Sequence, residues 1–197
     1  MKRHLLSYLA LASLMLFVFS CETSKSKKLS PEEKDSVVVY QKALGDSLQK
    51  AWTFMMEDDD AKLSDLKRLI QEMEYSYQYD SLVLDTLKQE LENLKAIRYD
   101  QVTVAISENI DNYDIATNTL INRVISFAYS QPAFNQYTLM AELEADILAA
   151  NERVLYYRIE HDRWAKRYNA YTEENKSVFE ERNPELLQKK PLFELPQ

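Results

Sequence analysis

The stretch LMAELEADILAANERVLYYRIEHDRWAKRYNAY, residues 139–171, decides the fold. Leu139, Leu143, Ile147, Ala150, Val154, Tyr157, His161, Trp164, Tyr168 and Tyr171 recur three or four residues apart. That spacing follows one face of an α-helix and has none of the strict alternation of a strand. The pattern predicts a helix from about Ala133 to Val178, roughly 70 Å long at ~1.5 Å per residue.

Upstream, Ser30-Pro31-Glu32-Glu33 is a helix start: Ser30 caps, Pro31 suits the first helical position, and Glu33 reaches back to the cap amide. Val37, Tyr40, Leu44, Leu48, Ala51 and Met55 keep the helical period, and Leu63, Leu66, Ile70 and Met73 resume it, so this helix is expected to reach about Tyr75. Between them lies Glu57-Asp58-Asp59-Asp60. Three readings of that run are open: a solvated helix face, a break with Asp as a new cap, or a cation site, the last without the glycine of a calcium loop. Val37-Val38-Val39-Tyr40 favours strand locally, but it lies inside the capped helical pattern.

Leu84, Leu87, Leu91 and Leu94 form a narrow seam, predicting a second helix from Ser81 to about Glu108. A third reads from about Asp111 through Ala128, with Tyr113, Leu120, Val124 and Phe127 inward, and Pro132 ends it. The fold class expected is all-α: an elongated antiparallel, up-down bundle of about four helices, two of them long.

The chain opens Met1-Lys2-Arg3-His4, continues with a 16-residue apolar run from Leu5 to Ser20, and reaches Cys21, its only cysteine. That layout resembles a bacterial lipoprotein signal, in which the thiol is acylated and becomes the first residue of the mature protein. A membrane-spanning helix needs about 20 apolar residues, more than this run supplies. Phe19 is bulkier than the residue usual at its place. The expected organisation is a signal peptide at 1–20, lipidation at Cys21, a flexible tether at 21–30, and a helical bundle with an extended C-terminal tail at 31–197. Lys25, Lys27 and Lys28 make the tether basic, unlike the acidic run after the cysteine in lipoproteins displayed on the surface of some bacteria. The expected location is the bacterial envelope, lipid-anchored to a membrane and facing the periplasm.

Composition excludes more than it selects. Without residues 1–20, 177 residues remain, enough for one core without staples. Lys2 and Arg3 leave with the signal, so 24 basic residues become 22 against 32 acidic ones, a net charge of −10. No basic face is available to track phosphates, so no nucleic-acid partner is expected. Gly45 is the sole glycine, which excludes phosphate loops, dinucleotide turns and nucleophile elbows. With Cys21 acylated, no thiol remains, and His161 is the only imidazole after His4 is removed. Zinc sites of His and Cys are excluded, and a catalytic triad would hang on one residue. No cofactor and no metal are expected.

Asn151 to Asn175 resembles the last long helix of LemA-family proteins. Arg153, Val154, Arg158 and the pair Tyr168-Asn169 match that helix, while His161-Asp162 replaces an earlier Tyr-Asn pair. Lys190-Pro191-Leu192-Phe193-Glu194 is similar to the family's ending, Pro132 keeps the proline before the helix, and Ala51-Trp52 is similar to the Ala-Trp of the first long helix. The segment that normally follows is eroded to Lys62 and Leu69-Ile70. The resemblance covers roughly Ala51 to Leu195 and implies an all-α antiparallel bundle tethered to a bacterial membrane by its N-terminus. It implies no established enzymatic activity and transfers no catalytic residues.

Each candidate site has a plain structural reading beside a functional one. His161 lies on the inward stripe, and its neighbours Glu160 and Asp162 point to other faces, so a hydrogen-bonded core-edge histidine is expected rather than a catalytic one. Arg153 and Arg158 either clamp an anion or, as arginines on long helices usually do, pair with neighbouring acids or snorkel over apolar surface. Tyr156, Tyr157, Trp164, Tyr168 and Tyr171 either pack between helices or form a stacking groove for peptide or glycan. Three functional classes follow: a non-enzymatic scaffold or interaction module engaging an envelope protein, a periplasmic chaperone-like holdase, and a hydrolase or transferase, which the poor glycine, thiol and histidine inventory disfavours. Acyl chains would bring the membrane as a partner, and self-association into a homo-oligomer is compatible with the seams.

Overall fold

The computed structural model describes residues 29–75, 80–132, 134 and 137–193. Cys21, the apolar run, residues 22–28 of the tether and Glu194 lie outside the described residues. Contacts divide the chain into Met1–Lys34 and Asp35–Gln197. In the first unit, the described residues carry the expected capping box. Glu33 N–H donates to Ser30 Oγ at 3.2 Å, and Ser30 N–H donates to Glu33 Oε2 at 2.7 Å.

The described residues are α-helical apart from short connections, without strands. Helix α1 runs Pro31–Glu74, α2 Ser81–Ala96, α3 Ser107–Ser130, α4 Thr138–Glu174 and α5 Lys176–Arg182. One 3-10 turn, Thr103–Ala105, precedes α3 and another, Pro184–Leu187, follows α5. The fold is the all-α helical bundle expected.

Cross-links within the second unit fix the directions. Lys88 reaches Glu74 and Arg98 reaches Asp59 and Asp60, so α2 returns along α1. Asn151 bonds Asn118, and Arg158 bonds Asp114, so α4 returns along α3. Arg153 meets Asp58 and Gln41 meets Thr172, which sets α4 antiparallel to α1 as well. The second half of α1, α2, α3 and the first half of α4 enclose an apolar core that includes Leu66, Leu69, Ile70, Leu84, Leu87, Leu91, Ile121, Val124 and Ile147. Beyond it, α5 and the tail take the places of α2 and α3. Arg182 pairs with Asp35 at 2.6 Å, and Phe179 is fully buried.

Three expectations need correction. The second helix stops at Ala96 instead of continuing to about Glu108. Asp100 Oδ1 accepts from the Val102 and Thr103 amides at 2.9 and 2.8 Å, an Asx turn that competes with helix. The β-branched Val102, Thr103 and Val104 make continuation weaker still. Next, α4 ends at Glu174, because Asn175 turns its side chain onto the Tyr171 carbonyl and α5 starts afresh. Last, the inward stripe of α4 keeps His161 and Tyr168 after Ala150 but shifts by one residue at the positions before, between and beyond them. Arg158, Ala165 and Thr172 are buried where Tyr157, Trp164 and Tyr171 were expected, and those three are only partly covered.

Candidate functional site

The acidic run 57–60 lies inside unbroken α1, which settles two of its three readings: it is no break, and most of it is helix surface. Asp59 departs from both. Its side chain is 7% exposed and pairs with Lys62 Nζ, itself 3% exposed, at 2.8 Å. Tyr113 Oη donates to Asp59 Oδ2 at 2.7 Å, and Arg98 lies at 3.2 Å. Burial works against the Asp59 charge, yet Lys62, Tyr113 and Arg98 outweigh it and hold the carboxyl below its ordinary value. Burial and that same carboxylate push the Tyr113 hydroxyl strongly upward, so it stays protonated as donor. Among the described residues, no group of three or more His, Cys, Asp or Glu side chains is placed to hold a metal.

A second polar set lies further along α4. Arg158 makes two bonds of 2.7 Å to Asp114 and a third, at 3.1 Å, to Tyr99 Oη. Its guanidinium also covers the rings of Tyr99 and Phe193. Burial opposes its charge, but Asp114 and Tyr99 more than compensate, so Arg158 stays a cation. Thus Arg158 takes the plain reading of an arginine paired with an acid, although Asp114 comes from another helix, and the Arg158 Nε is left without a hydrogen-bond partner among the described residues. Arg153 pairs with Asp58 at 2.7 Å at the surface.

The tail closes this site. Phe193 inserts among Trp52, Tyr99 and His161, with ring centroids 6.5, 5.7 and 5.1 Å away. Asn169 ties the strap down twice, donating to Lys190 O and accepting from Lys190 N–H, both at 2.8 Å. Phe193 N–H donates to Asp162 Oδ1 at 2.9 Å. Asp162 also lies 3.2 Å from His161 Nδ1, and both residues are buried. The expectation that Asp162 points away from His161 is therefore wrong: its short side chain turns inward to receive the tail amide. His161 is a hydrogen-bonded buried histidine, as expected.

Two surface recesses flank this centre. One, of about 520 Å³, is lined by Gln41, Lys42, Gly45, Gln49, His161, Tyr168 and Lys190 among others. The other, of about 380 Å³, lies between α1 and α4 and is lined by Phe54, Tyr156, Tyr157 and Trp164 with Lys50 and Glu160. The sequence grouped the α4 aromatics as one set. The structure divides them: Tyr168 is buried, Tyr171 packs edge-on to Tyr40, and Tyr156, Tyr157 and Trp164 line the groove. Sequence reasoning missed Asp59, Lys62, Tyr99, Asp114 and Phe193 as members of one buried assembly. Only the Lys190–Phe193 segment carried a signal, through its likeness to a family ending.

The class these features define is an all-α bundle with a buried, paired polar centre and an aromatic groove on its surface. In that centre, among the described residues, Arg158 Nε alone of its guanidinium nitrogens lacks a hydrogen-bond partner. No family model, no curated protein and no solved structure matches this chain. No described helix is long and apolar enough to cross a membrane.

Proposed function

We propose that this protein is a non-enzymatic, lipid-anchored module of the bacterial cell envelope, a diverged relative of the LemA family whose helical surface engages another protein. The observation that carries the reading is the contrast between centre and surface. Among the described residues, Asp59 pairs with Lys62, Arg158 with Asp114 and Tyr99, and Asp162 with the tail amide and His161. Exposed aromatic and aliphatic side chains are spread over the described surface, and two of them, Phe54 and Tyr156, line the groove between α1 and α4. Aromatic side chains on a rigid helical face supply contact area at low conformational cost, the usual anchor of a protein interface.

The LemA reading gains support from a convergence. Trp52, Arg158 and Phe193, from three separate stretches of resemblance, meet around one centre, and Asn169 of the second stretch holds Lys190 of the third. Acylation at Cys21 rests on the sequence pattern at residues 1–21. Two measurements test the whole. Cys21→Ser should leave the membrane fraction; native and variant chains that partition alike would remove the anchor. Crosslinking of the native chain in intact cells should retrieve a specific envelope protein, and recovery of abundant background alone would remove the interaction role.

A holdase is the second reading, favoured by the exposed Leu148, Leu155 and Ile159 on α4. It requires suppression of client aggregation at stoichiometric amounts, and no suppression ends it.

A further inference from the structure

The recess of about 520 Å³ beside the polar centre lies within the second unit, and packing leaves three of its features unexplained. The first is at its floor. Gln41 is fully buried, and its Nε2 donates to Tyr168 O at 3.3 Å and to Thr172 Oγ1 at 2.6 Å. A carbonyl only accepts, and the Thr172 hydroxyl already donates to that same carbonyl, so the amide nitrogen must lie on this side. Oε1 is left buried without a donor among the described residues. Buried acceptors are nearly always paired, and this one is not. His161, also buried, adds a second acceptor. Its Nδ1 faces the Asp162 carboxylate at 3.2 Å, so a neutral ring carries its proton there and keeps Nε2 as an acceptor. No described residue bonds Nε2.

The second feature is in the wall. Gly45 is the only glycine of the chain and lies inside α1, where glycine is destabilising relative to alanine. Neither usual reason for keeping it holds. Its φ is not positive, and a Cβ there would meet Tyr168 Cε2 at an unstrained 3.6 Å. What the missing side chain leaves is room in the recess.

The third feature is charge at the mouth. Lys42 and Asp46, exposed on α1, and Lys190 of the tail line the same opening. Lys42 and Asp46 are four residues apart on one helix, yet among the described residues none of the three makes an ion pair. Lys42 acts on the Glu185 carboxyl only at longer range, and the Lys190 ammonium lies 5.1 Å from the Tyr168 ring centroid. A bare anion entering here would meet Asp46 and Glu185, and a bare cation would meet two lysines. Unpaired charges of both signs favour a molecule that carries both. We propose that this recess binds a small zwitterion, an amino acid or a dipeptide. Its carboxylate goes to Lys42 and Lys190. Its ammonium has three N–H donors, for Asp46, Gln41 Oε1 and His161 Nε2. The site is separate from the aromatic groove, so the inference goes beyond the protein-engaging role and does not depend on it.

Equilibrium dialysis of the purified full-length chain tests this, with an equimolar mixture of the common amino acids in one arm and dialanine in the other. The expected result is saturable retention of a zwitterion, one molecule per chain, and the arm that retains it separates a free amino acid from a peptide. N-acetylation or amidation of the retained molecule, each removing one charge, should weaken it at least about tenfold. Asp46→Asn and Lys190→Met should each do the same from the protein side. Gly45→Leu, which fills the opened space, should abolish retention while far-UV circular dichroism stays that of the native chain. If that variant loses helix, the Asp46 and Lys190 variants decide alone. No retention in either arm at millimolar concentrations overturns the proposal. Retention that survives both Asp46→Asn and Lys190→Met, or a folded Gly45→Leu, places the ligand elsewhere and overturns this site. Equal binding of the acetylated and amidated molecules overturns the zwitterion.

Discussion

Asp59 and Lys62 pair at 2.8 Å one helical turn apart, and both side chains are buried. The pair explains how α1 continues through four consecutive acids: Asp58 and Asp60 find arginines nearer the surface, and only Asp59 turns inward. Asp59→Ala leaves the Lys62 ammonium and the Tyr113 hydroxyl without their carboxylate. The expected cost is about 3–5 kcal/mol, the usual effect of breaking a buried pair from one side. Asp58→Ala, which loses only a half-exposed arginine, should cost under about 1 kcal/mol. Urea unfolding of the two variants measures the difference, and equal losses would contradict the burial of Asp59.

Acid should unfold the bundle through the same carboxylate. The folded value for Asp59 is depressed below its ordinary 3.8. Its stabilisation is therefore complete above the unfolded value and is lost as pH falls through the folded one. The urea midpoint should hold steady near neutrality and drop from about pH 4 downward, where the unfolded chain begins to take up the proton. Asp59→Asn, less stable at neutral pH, should show a shallower acid slope. An unchanged slope would assign the acid sensitivity to other carboxylates.

Phe193 holds the tail. Its ring is 4% exposed, among Trp52, Tyr99, His161 and Arg158. Phe193→Ala removes a fully packed aromatic and should cost about 3–5 kcal/mol if the cavity does not collapse. It should also expose the chain after α5 to limited proteolysis, with the early cuts following Leu187. Leu192→Ala, at a half-buried position, should do neither to a comparable degree. Proteolysis indistinguishable from the native chain would mean that Asn169 and Asp162 alone hold the strap.

Much of this architecture was legible because it is periodic. The capping box at Ser30 and Glu33, the leucine seam of α2 and the long apolar stripes of α1 and α4 each repeat a local rule, and local rules survive without tertiary information. The buried polar centre was not legible. Arg158 is inward because Asp114, 44 residues earlier, receives it, and no spacing within α4 announces that. The same pair pulls the inward stripe of α4 one residue past Tyr157, leaving Tyr156 and Tyr157 at the groove. For another reason, Phe193 had its likeness to a family ending as its one signal: a six-residue extended strap has no period, and its burial is decided by Trp52 and His161 far upstream. The end of α2 was partly readable, since Asp100 ahead of Val102 and Thr103 is a recognisable turn signal. The leucine seam before it favoured continuation more strongly.

Gly45 offers a test in the opposite direction, toward higher stability. It is the chain's only glycine, it lies inside α1, and its backbone has no positive φ that would require it. A Cβ built there meets Tyr168 Cε2 at 3.6 Å, an ordinary van der Waals contact. Glycine in a helix interior costs about 1 kcal/mol relative to alanine. Gly45→Ala should therefore raise the thermal midpoint by about 2–4 °C in a chain of this size. The added methyl also intrudes on the recess that Gly45 shares with Gln41 and His161. If the variant is more stable and still recovers the same envelope partner, that recess plays no part in binding and the outer faces of α1 and α4 carry it. A more stable variant that loses its partner would move the interaction site into the recess.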